Sequence, residues 1–427
     1  MAKRSLARSV SIIGVGSTPM GNVQKSPEML NFSERELFAW ACMNAMENGG
    51  VRASDIDAYL VGMSGGTYES KLKSAGPFFS EWIGMLNKPA IYHDEGCGTS
   101  GYGLQAAIDA VASGHYDCVI SGAVNVNLSV PKVSYPPHIR MEQDNDVKWE
   151  ALYTGVEAAY EKPGYGGVGP VEACLVKYAI DYNLSRDQID EMFNNYLISK
   201  RKEAIMNPKA LMAQMSYEDE AKHFGFDSVR DYLYNNKFNP PMGTYIRARF
   251  LGAGVDAASA IIVCETEKAK KLVEKPIEVF GVSGTSPGKQ FAELPLEVDK
   301  RMFKEAYELA GITDPYHEVE YMGIHDCPAT MVLMVSESSG YIKPGEAWKF
   351  MRDGRMNFDQ DKPISTTGGR TQSGHPRAPA FGIEVEEAVA QMRGENGSRQ
   401  MSKPPKTSVI WGGGSGYSCS ICVLKSL

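Results

Sequence analysis

The sequence has no long hydrophobic run. Its apolar stretches fall far short of the ~20 residues that a membrane span needs, so no span is expected. It has no excess of basic charge either: 44 Lys and Arg face 52 Asp and Glu, for a net charge of -8. A phosphate backbone attracts basic surfaces, so the charge argues against broad nucleic-acid binding, while one anionic ligand held by a few local cations is not excluded. No secretory leader is expected. The start, MAKRSLARSVSIIGVG, opens basic, but its apolar run Val10–Val15 is short and broken by glycine. The chain closes on Lys425, Ser426 and Leu427, which is not the order of a peroxisomal Ser-Lys-Leu address. The cytoplasm is therefore the expected compartment.

A disulfide framework is also missing. The eight cysteines (Cys42, Cys97, Cys118, Cys174, Cys264, Cys327, Cys419 and Cys422) are scattered, and an intracellular chain of 427 residues needs none. Cys419 and Cys422 form a lone CxxC inside YSCSICVL, which reads as a strand. Positions i and i+3 of a strand point to opposite faces, so the pair is expected to be two small buried thiols, not a metal or redox site. No dinucleotide fingerprint is present. IIGVGSTPMG spaces Gly14, Gly16 and Gly21 as GxGxxxxG, and no helix opens there.

What is present is an ordinary globular composition, 43% hydrophobic and 22% charged, long enough for two or three domains of roughly 100–200 residues. Strands and helices alternate, which predicts an α/β fold with mostly parallel sheets. Strands are expected at Val10–Val15, Ala58–Val61, Cys118–Ser121, Ala260–Cys264, Ile277–Val282, Tyr321–Ile324 and Ser408–Trp411.

Two stretches follow one plan. The first has a helix opened by a Ser33/Glu36 capping box with the stripe Phe38, Ala41, Cys42 and Ala45, then a strand. A second helix follows, with Leu104, Ala107, Ile108 and Val111 on one face, and then another strand. The second stretch has Asp299 as N-cap of a helix with Met302, Ala306 and Leu309, then a strand. Its later helix carries Phe381, Val385, Ala388, Val389 and Met392 and stops near Gly394 before the last repeated strand. A tandem duplication is implied, with halves at 1–276 and 277–427.

Within the first half, about 131–252 is a polar insertion. It carries a Ser185/Gln188 capping box, the apolar face Ile189, Met192, Phe193 and Tyr196, and 11 of the 21 tyrosines. These rings suit ligand walls or interfaces; they equally suit the packing of the insertion itself, and both readings stand.

Four loops carry candidate chemistry. Cys97, in GCGTSG just before the Leu104 helix, sits where backbone N–H groups and the helix dipole favour a thiolate; the competing reading is a structural cysteine at a tight turn. His325, Asp326 and Cys327 directly follow a strand, where ligands gather in parallel α/β sheets, although a packed loop would look the same. His375 occupies in the second copy the place of Cys97 in the first, so the two loops should meet, as a base meets a thiol nucleophile. Gly412, Gly413 and Gly414 end the last repeated strand and offer N–H groups for an oxyanion. The trio His93, Asp94 and Glu95 reads as a polar turn, and no metal site is expected.

Together these loops resemble the thiolases, specifically the sterol-carrier-protein-2-like branch. GCGTSGYGLQAAIDAVASG looks like the nucleophile motif, HDC like that branch's second motif and GHP like its third. The final GGG and the opening VSIIGVGSTPMG also fit. The resemblance implies a five-layer αβαβα fold with an inserted loop domain that binds CoA. It implies Cys97 as acylated nucleophile, His375 as its base, Cys327 as second acid/base, His325 at the thioester oxygen, and the N–H groups of Cys97 and Gly412 as oxyanion hole. No bound cofactor is implied, only coenzyme A as co-substrate.

It further implies a homodimer or tetramer and, for some members, a small zinc-finger/OB-fold partner subunit. Cleavage of benzoylsuccinyl-CoA to benzoyl-CoA and succinyl-CoA is one candidate reaction. A retro-aldolase or condensing activity and a non-catalytic CoA-thioester-binding role are the alternatives. Two departures stand out. Ile410 and Trp411 occupy the region where many thiolases keep their second cysteine. The residues after GHP run RAPAFG, apparently one longer than the small-residue family pattern, so Arg377, Pro379 and Phe381 should reshape the pocket toward a bulky acyl group.

Overall fold

The computed structural model describes residues 5–64, 75–126, 169–284, 294–414 and 418–427. The stretch 131–168 of the expected insertion, with four of its tyrosines, lies outside the described residues. Among the described residues no helix is long and apolar enough to cross a membrane.

Among the described residues nine strands form the framework: β1 (Val10–Ser17), β2 (Ala58–Gly62), β3 (Ala90–His93), β4 (Cys118–Asn125), β5 (Ala257–Glu265), β6 (Ile277–Ser283), β7 (Tyr321–Ile324), β8 (Thr407–Gly414) and β9 (Ser418–Ser426). Their order is β3-β2-β4-β5-β1-β6-β9-β8-β7. The duplication is visible in this order. β1, β2, β4 and β5 are matched by β6, β7, β8 and β9 with the same neighbours and the same directions. The halves join at the short pairing of Ser11 with Glu278 and Ile12 with Ile277.

The expectation of mostly parallel sheets is corrected. Among the described residues only β2–β3, β2–β4 and β7–β8 run parallel; the other five pairings are antiparallel. Alternation of elements reveals their order but not their direction. β9 follows β8 after only residues 415–417, too few for the crossover that parallel neighbours require.

Helices α1 (Glu34–Asn48), α2 (Thr99–Ala112), α3 (Gly169–Asp181), α4 (Arg186–Met206), α5 (Leu294–Ala310), α6 (Thr330–Ser338) and α7 (Ala380–Arg393) cover the strands. The cores show five layers. α1 packs on the outer face of the first half-sheet through Phe38, Ala41, Cys42 and Ala45. α2 and α7 lie together between the half-sheets, with Leu104, Ile108, Phe381 and Val389 in one shared core. α5 and α6 close the outer face of the second half-sheet, and that core continues into α3 and α4, where Tyr196 and other buried rings pack. With both faces covered, β1, β2 and β4 are buried throughout, which accounts for their nearly unbroken small and apolar sequences.

Local chemistry sets the element ends. Ser33 and Glu36, and likewise Ser185 and Gln188, bond reciprocally as full capping boxes, a type of cap worth about 0.5–2 kcal/mol. Asp299 is not an N-cap. It lies inside α5, buried, with the Trp411 indole N–H donating to it at 3.4 Å. The helix begins five residues before Asp299, at Leu294. Cys419 and Cys422 point to opposite faces of β9, one into each core. Gly14 and Gly16 serve packing: a Cβ on Gly14 would lie 2.1 Å from the Ala45 carbonyl oxygen, so α1 rests directly on β1.

Candidate active site

Cys97 lies in a tight turn, Gly96–Gly98, between β3 and α2. The turn is wound by Thr99, whose hydroxyl accepts from the Glu95 N–H at 2.9 Å and donates to the Gly96 carbonyl at 2.7 Å. Gly96 takes a φ of 57°, a left-handed conformation that glycine adopts without strain. The thiol is half-buried. The first turn of α2 is held by the opposite half. Ser100 N–H donates to the Ala378 carbonyl at 3.1 Å, and Ser100 Oγ accepts from Gly382 N–H at 3.1 Å.

His325 leaves the end of β7 with its N–H still bonded to the Trp411 carbonyl of β8, 3.1 Å away. Two residues on, Cys327 Sγ accepts from Gly252 N–H at 3.4 Å and meets His375 Nδ1 at 3.4 Å. His375 itself is clamped by backbone: its N–H donates to Ala253 O at 2.7 Å, and its carbonyl accepts from Val255 N–H at 3.3 Å. Gly252 permits this approach, since a Cβ there would lie 2.8 Å from His375 Cβ and 2.4 Å from Arg370 O.

The structure thus brings the sequence-expected residues into one place. The His325 and His375 rings meet edge to face with centroids 4.7 Å apart. Cys97 Sγ and one ring nitrogen of each histidine all lie within 4.8 Å of one another. Gly412, near the end of β8, faces Phe381 of α7, where a Cβ would come within 2.6 Å of the ring, and this strand end packs on the Cys97 turn.

The family described as "Thiolase C-terminal domain-like" matches residues 290–426. An acetyl-CoA acetyltransferase from Methanothermobacter thermautotrophicus is 25% identical over 399 residues, covering 92% of this chain and 93% of that one. The benzoylsuccinyl-CoA thiolase subunit BbsB of Thauera aromatica is 29% identical over 165 residues, 37% of this chain and 42% of that one. Among solved structures, human mitochondrial 3-ketoacyl-CoA thiolase shares the fold with a TM-score of 0.66 at 13% identity, over 99% of this chain and all (100%) of that one. The Ltp2-ChsH2(DUF35) aldolase gives 0.73 at 18% identity, over 99% and 98%. The chain belongs to the thiolase superfamily. Its α/β thiolase-like fold follows from the same likeness.

In this thiolase-superfamily site, burial governs the protonation states. It holds the His325 imidazole down to about 3, with the Arg370 charge adding to the effect. His375 is pushed well below the usual histidine range by burial first, then by His325, Arg377 and Arg370. Burial raises the Cys327 thiol to about 12, against the opposing pull of the Gly252 N–H. Near neutral pH the site therefore holds two uncharged imidazoles beside a protonated thiol. A neutral base and a neutral acid stand side by side.

Three features were not anticipated. His93 is no polar turn residue. It ends the edge strand β3, its Nε2 donates to Thr99 O at 3.0 Å beneath the Cys97 turn, and burial lowers its pKa to about 4. The signal available in the sequence was the pair Gly62 and Gly103, which leave room for that ring. Asp326, fully buried, accepts from Tyr196 Oη at 2.8 Å, Thr371 Oγ1 at 2.9 Å and the Arg370 N–H. Arg370, also fully buried, pairs with Glu384 at 2.9 Å, and burial raises that carboxyl to about 7 despite the arginine. The RAP segment turns outward at Arg377, which is exposed and has a φ of 60°. The segment's backbone then serves structure: Asn125 accepts from Ala378 N–H at 2.9 Å, and Ser259 Oγ donates to Pro379 O at 3.1 Å.

Proposed function

We propose that this acyltransferase is a CoA-dependent thiolase cleaving a 3-oxoacyl-CoA through an acyl-cysteine on Cys97. The observation that carries this reading is the convergence of Cys97, His325 and His375 within 4.8 Å, with Cys327 against His375. His375 takes the Cys97 proton, and the thiolate attacks the 3-keto carbon. The N–H groups of Cys97 and Gly412 receive the oxyanion. The C2–C3 bond breaks, the departing enolate is held at His325, and Cys327 gives it a proton. Free CoA then attacks the acyl-cysteine, and the acyl-CoA product leaves. General acid–base help of this kind contributes about 10²–10⁴-fold. The working division of the chain is 1–276, with the insertion at 131–252, and 277–427.

The acyl group we favour is bulky, of the benzoylsuccinyl type, supported by the partial likeness to BbsB. A small zinc-finger/OB-fold partner fits this reading, as does assembly into a homodimer or tetramer. The test is incubation with a 3-oxoacyl-CoA followed by intact-protein mass spectrometry. An acyl adduct on Cys97, absent in Cys97→Ser, is expected, and turnover without any adduct overturns the reading. A retro-aldolase is the second reading, favoured by the fold shared with the Ltp2-ChsH2(DUF35) aldolase. It requires cleavage without free CoA. A CoA-thioester-binding subunit without catalysis would leave Cys97 sluggish toward iodoacetamide.

A further inference from the structure

We propose that Cys97, His325 and His375 also form a binding site for a thiophilic divalent cation, with Zn²⁺ as the representative ion, and that occupancy shuts the enzyme. The consequence for catalysis rests on the function proposed above; the site itself rests on geometry. One sulfur and two imidazole nitrogens, from three separate chain segments, lie within 4.8 Å of one another. Zn²⁺ takes thiolate sulfur at about 2.3 Å and imidazole nitrogen at about 2.0–2.1 Å in tetrahedral sites. Such bonds put donor atoms about 3.3–3.6 Å apart, so a contraction of up to about 1.2–1.5 Å completes the shell.

A second observation points to a ligand. His325 Nδ1 and His375 Nε2 are buried and have no hydrogen-bond partner among the described residues, and His325 is only 4% exposed. Buried polar atoms are nearly always satisfied, and a neutral imidazole nitrogen without a donor offers a lone pair that a soft cation accepts. The surroundings suit a held ligand. His375 Nδ1 rests against Cys327 Sγ, and Asp326, between His325 and Cys327, is pinned by four hydrogen bonds. Orientation by such outer partners is what makes a metal ligand effective. No comparable set exists elsewhere among the described residues, and Cys419 and Cys422 face apart.

The chemistry balances without redox. The Cys97 S–H bond breaks, its proton passes to solvent, and a sulfur–metal bond forms, while the two imidazoles donate lone pairs. The fourth position is left to water. A sulfur engaged in that bond cannot attack a carbonyl carbon, so the cation and the acyl substrate exclude one another.

The experiment uses the full chain stripped with a chelator and titrated with Co²⁺, whose visible spectrum reports tetrahedral geometry and thiolate ligation, then displaced with Zn²⁺. One site per chain with a thiolate band is expected. Affinity should fall about tenfold or more in each of Cys97→Ser, His325→Asn and His375→Asn, the scale on which lost metal contacts are felt. A measurement free of variants accompanies it: one equivalent of Zn²⁺ should slow iodoacetamide labelling of Cys97. A spectrum without a thiolate band, equal binding by all three variants, or unchanged labelling overturns the site. The two proposals fail separately. A metal-free chain that forms the acyl adduct but ignores Zn²⁺ loses only the metal site, and one that binds the cation at Cys97 but never acylates loses only the thiolase reading.

Discussion

Tyr196 donates its hydroxyl to Asp326 at 2.8 Å, and that one bond ties helix α4 to the strand end that carries His325 and Cys327. The phenol is fully buried, and burial together with the Asp326 charge pushes it far above the ordinary tyrosine range, so it remains a donor. A hydrogen bond to a charged group contributes about 1.5–3 kcal/mol. Tyr196→Phe is therefore expected to cost about that much stability in urea unfolding. It should also lower kcat, because the loop that shifts carries Cys327, the acid of the proposed mechanism. Full kcat in a destabilised variant would show that the bond serves the fold alone.

The acid limb of activity should lie below the normal histidine range. A base acts in its unprotonated form, and His375 is held well below the ordinary histidine value of about 6.5. The imidazole thus stays competent as pH falls through 6.5, and kcat/KM should show no ionisation there. Stability runs the other way. Folded His325, lowered to about 3, binds fewer protons than the unfolded chain, so its contribution is complete above 6.5 and is lost as pH falls toward about 3. Glu384 and Asp299, both raised to about 7 by burial, oppose this by favouring the folded state as pH falls through 7. Initial-rate profiles checked against unfolding at each pH separate the two effects; a break in kcat/KM at 6.5 contradicts the assignment of His375.

Much of this site is legible in the sequence. A thiol ahead of a helix, a His-Asp-Cys run at a strand end and a His-bearing loop in the equivalent place of a second copy fix where three loops must lie once the halves pack. What could not be read depends on contacts that local pattern does not encode. Tyr196 and Asp326 are 130 residues apart, and no periodicity pairs them. Strand β3 has four residues and sits at the sheet edge, too short to stand out, so His93 looked like part of a turn. Asp299 resembled a cap because it precedes an apolar stripe, whereas burial against Trp411 places it mid-helix.

Gly412 and Phe381 should behave as a coupled pair. A Cβ on Gly412 would sit 2.6 Å from the Phe381 ring, which is itself 2% exposed and has no room to retreat. Gly412→Ala is expected to cost about 1–3 kcal/mol, the usual range for overpacking. It should also slow acylation, by moving the strand end that packs on the Cys97 turn. Phe381→Leu removes the obstructing ring atoms and should recover part of both losses in the double variant. Strictly additive penalties would mean that the clash is absorbed elsewhere.

Arg377 offers a change expected to stabilise. Its φ of 60° lies in the left-handed region, which costs a side-chain-bearing residue about 1–2 kcal/mol. Glycine adopts it freely but gives back part of that gain through the greater entropy of its unfolded chain. Arg377→Gly should therefore raise stability by up to about 1 kcal/mol in thermal or urea unfolding. The same substitution removes a positive charge that helps to keep His375 unprotonated. Protonation becomes easier, so the acid limb of kcat/KM should move upward, toward 6.5, while the plateau rate stays close to that of the parent. A more stable protein with an unmoved limb would mean that the guanidinium, exposed as it is, is screened by solvent before its field reaches the imidazole.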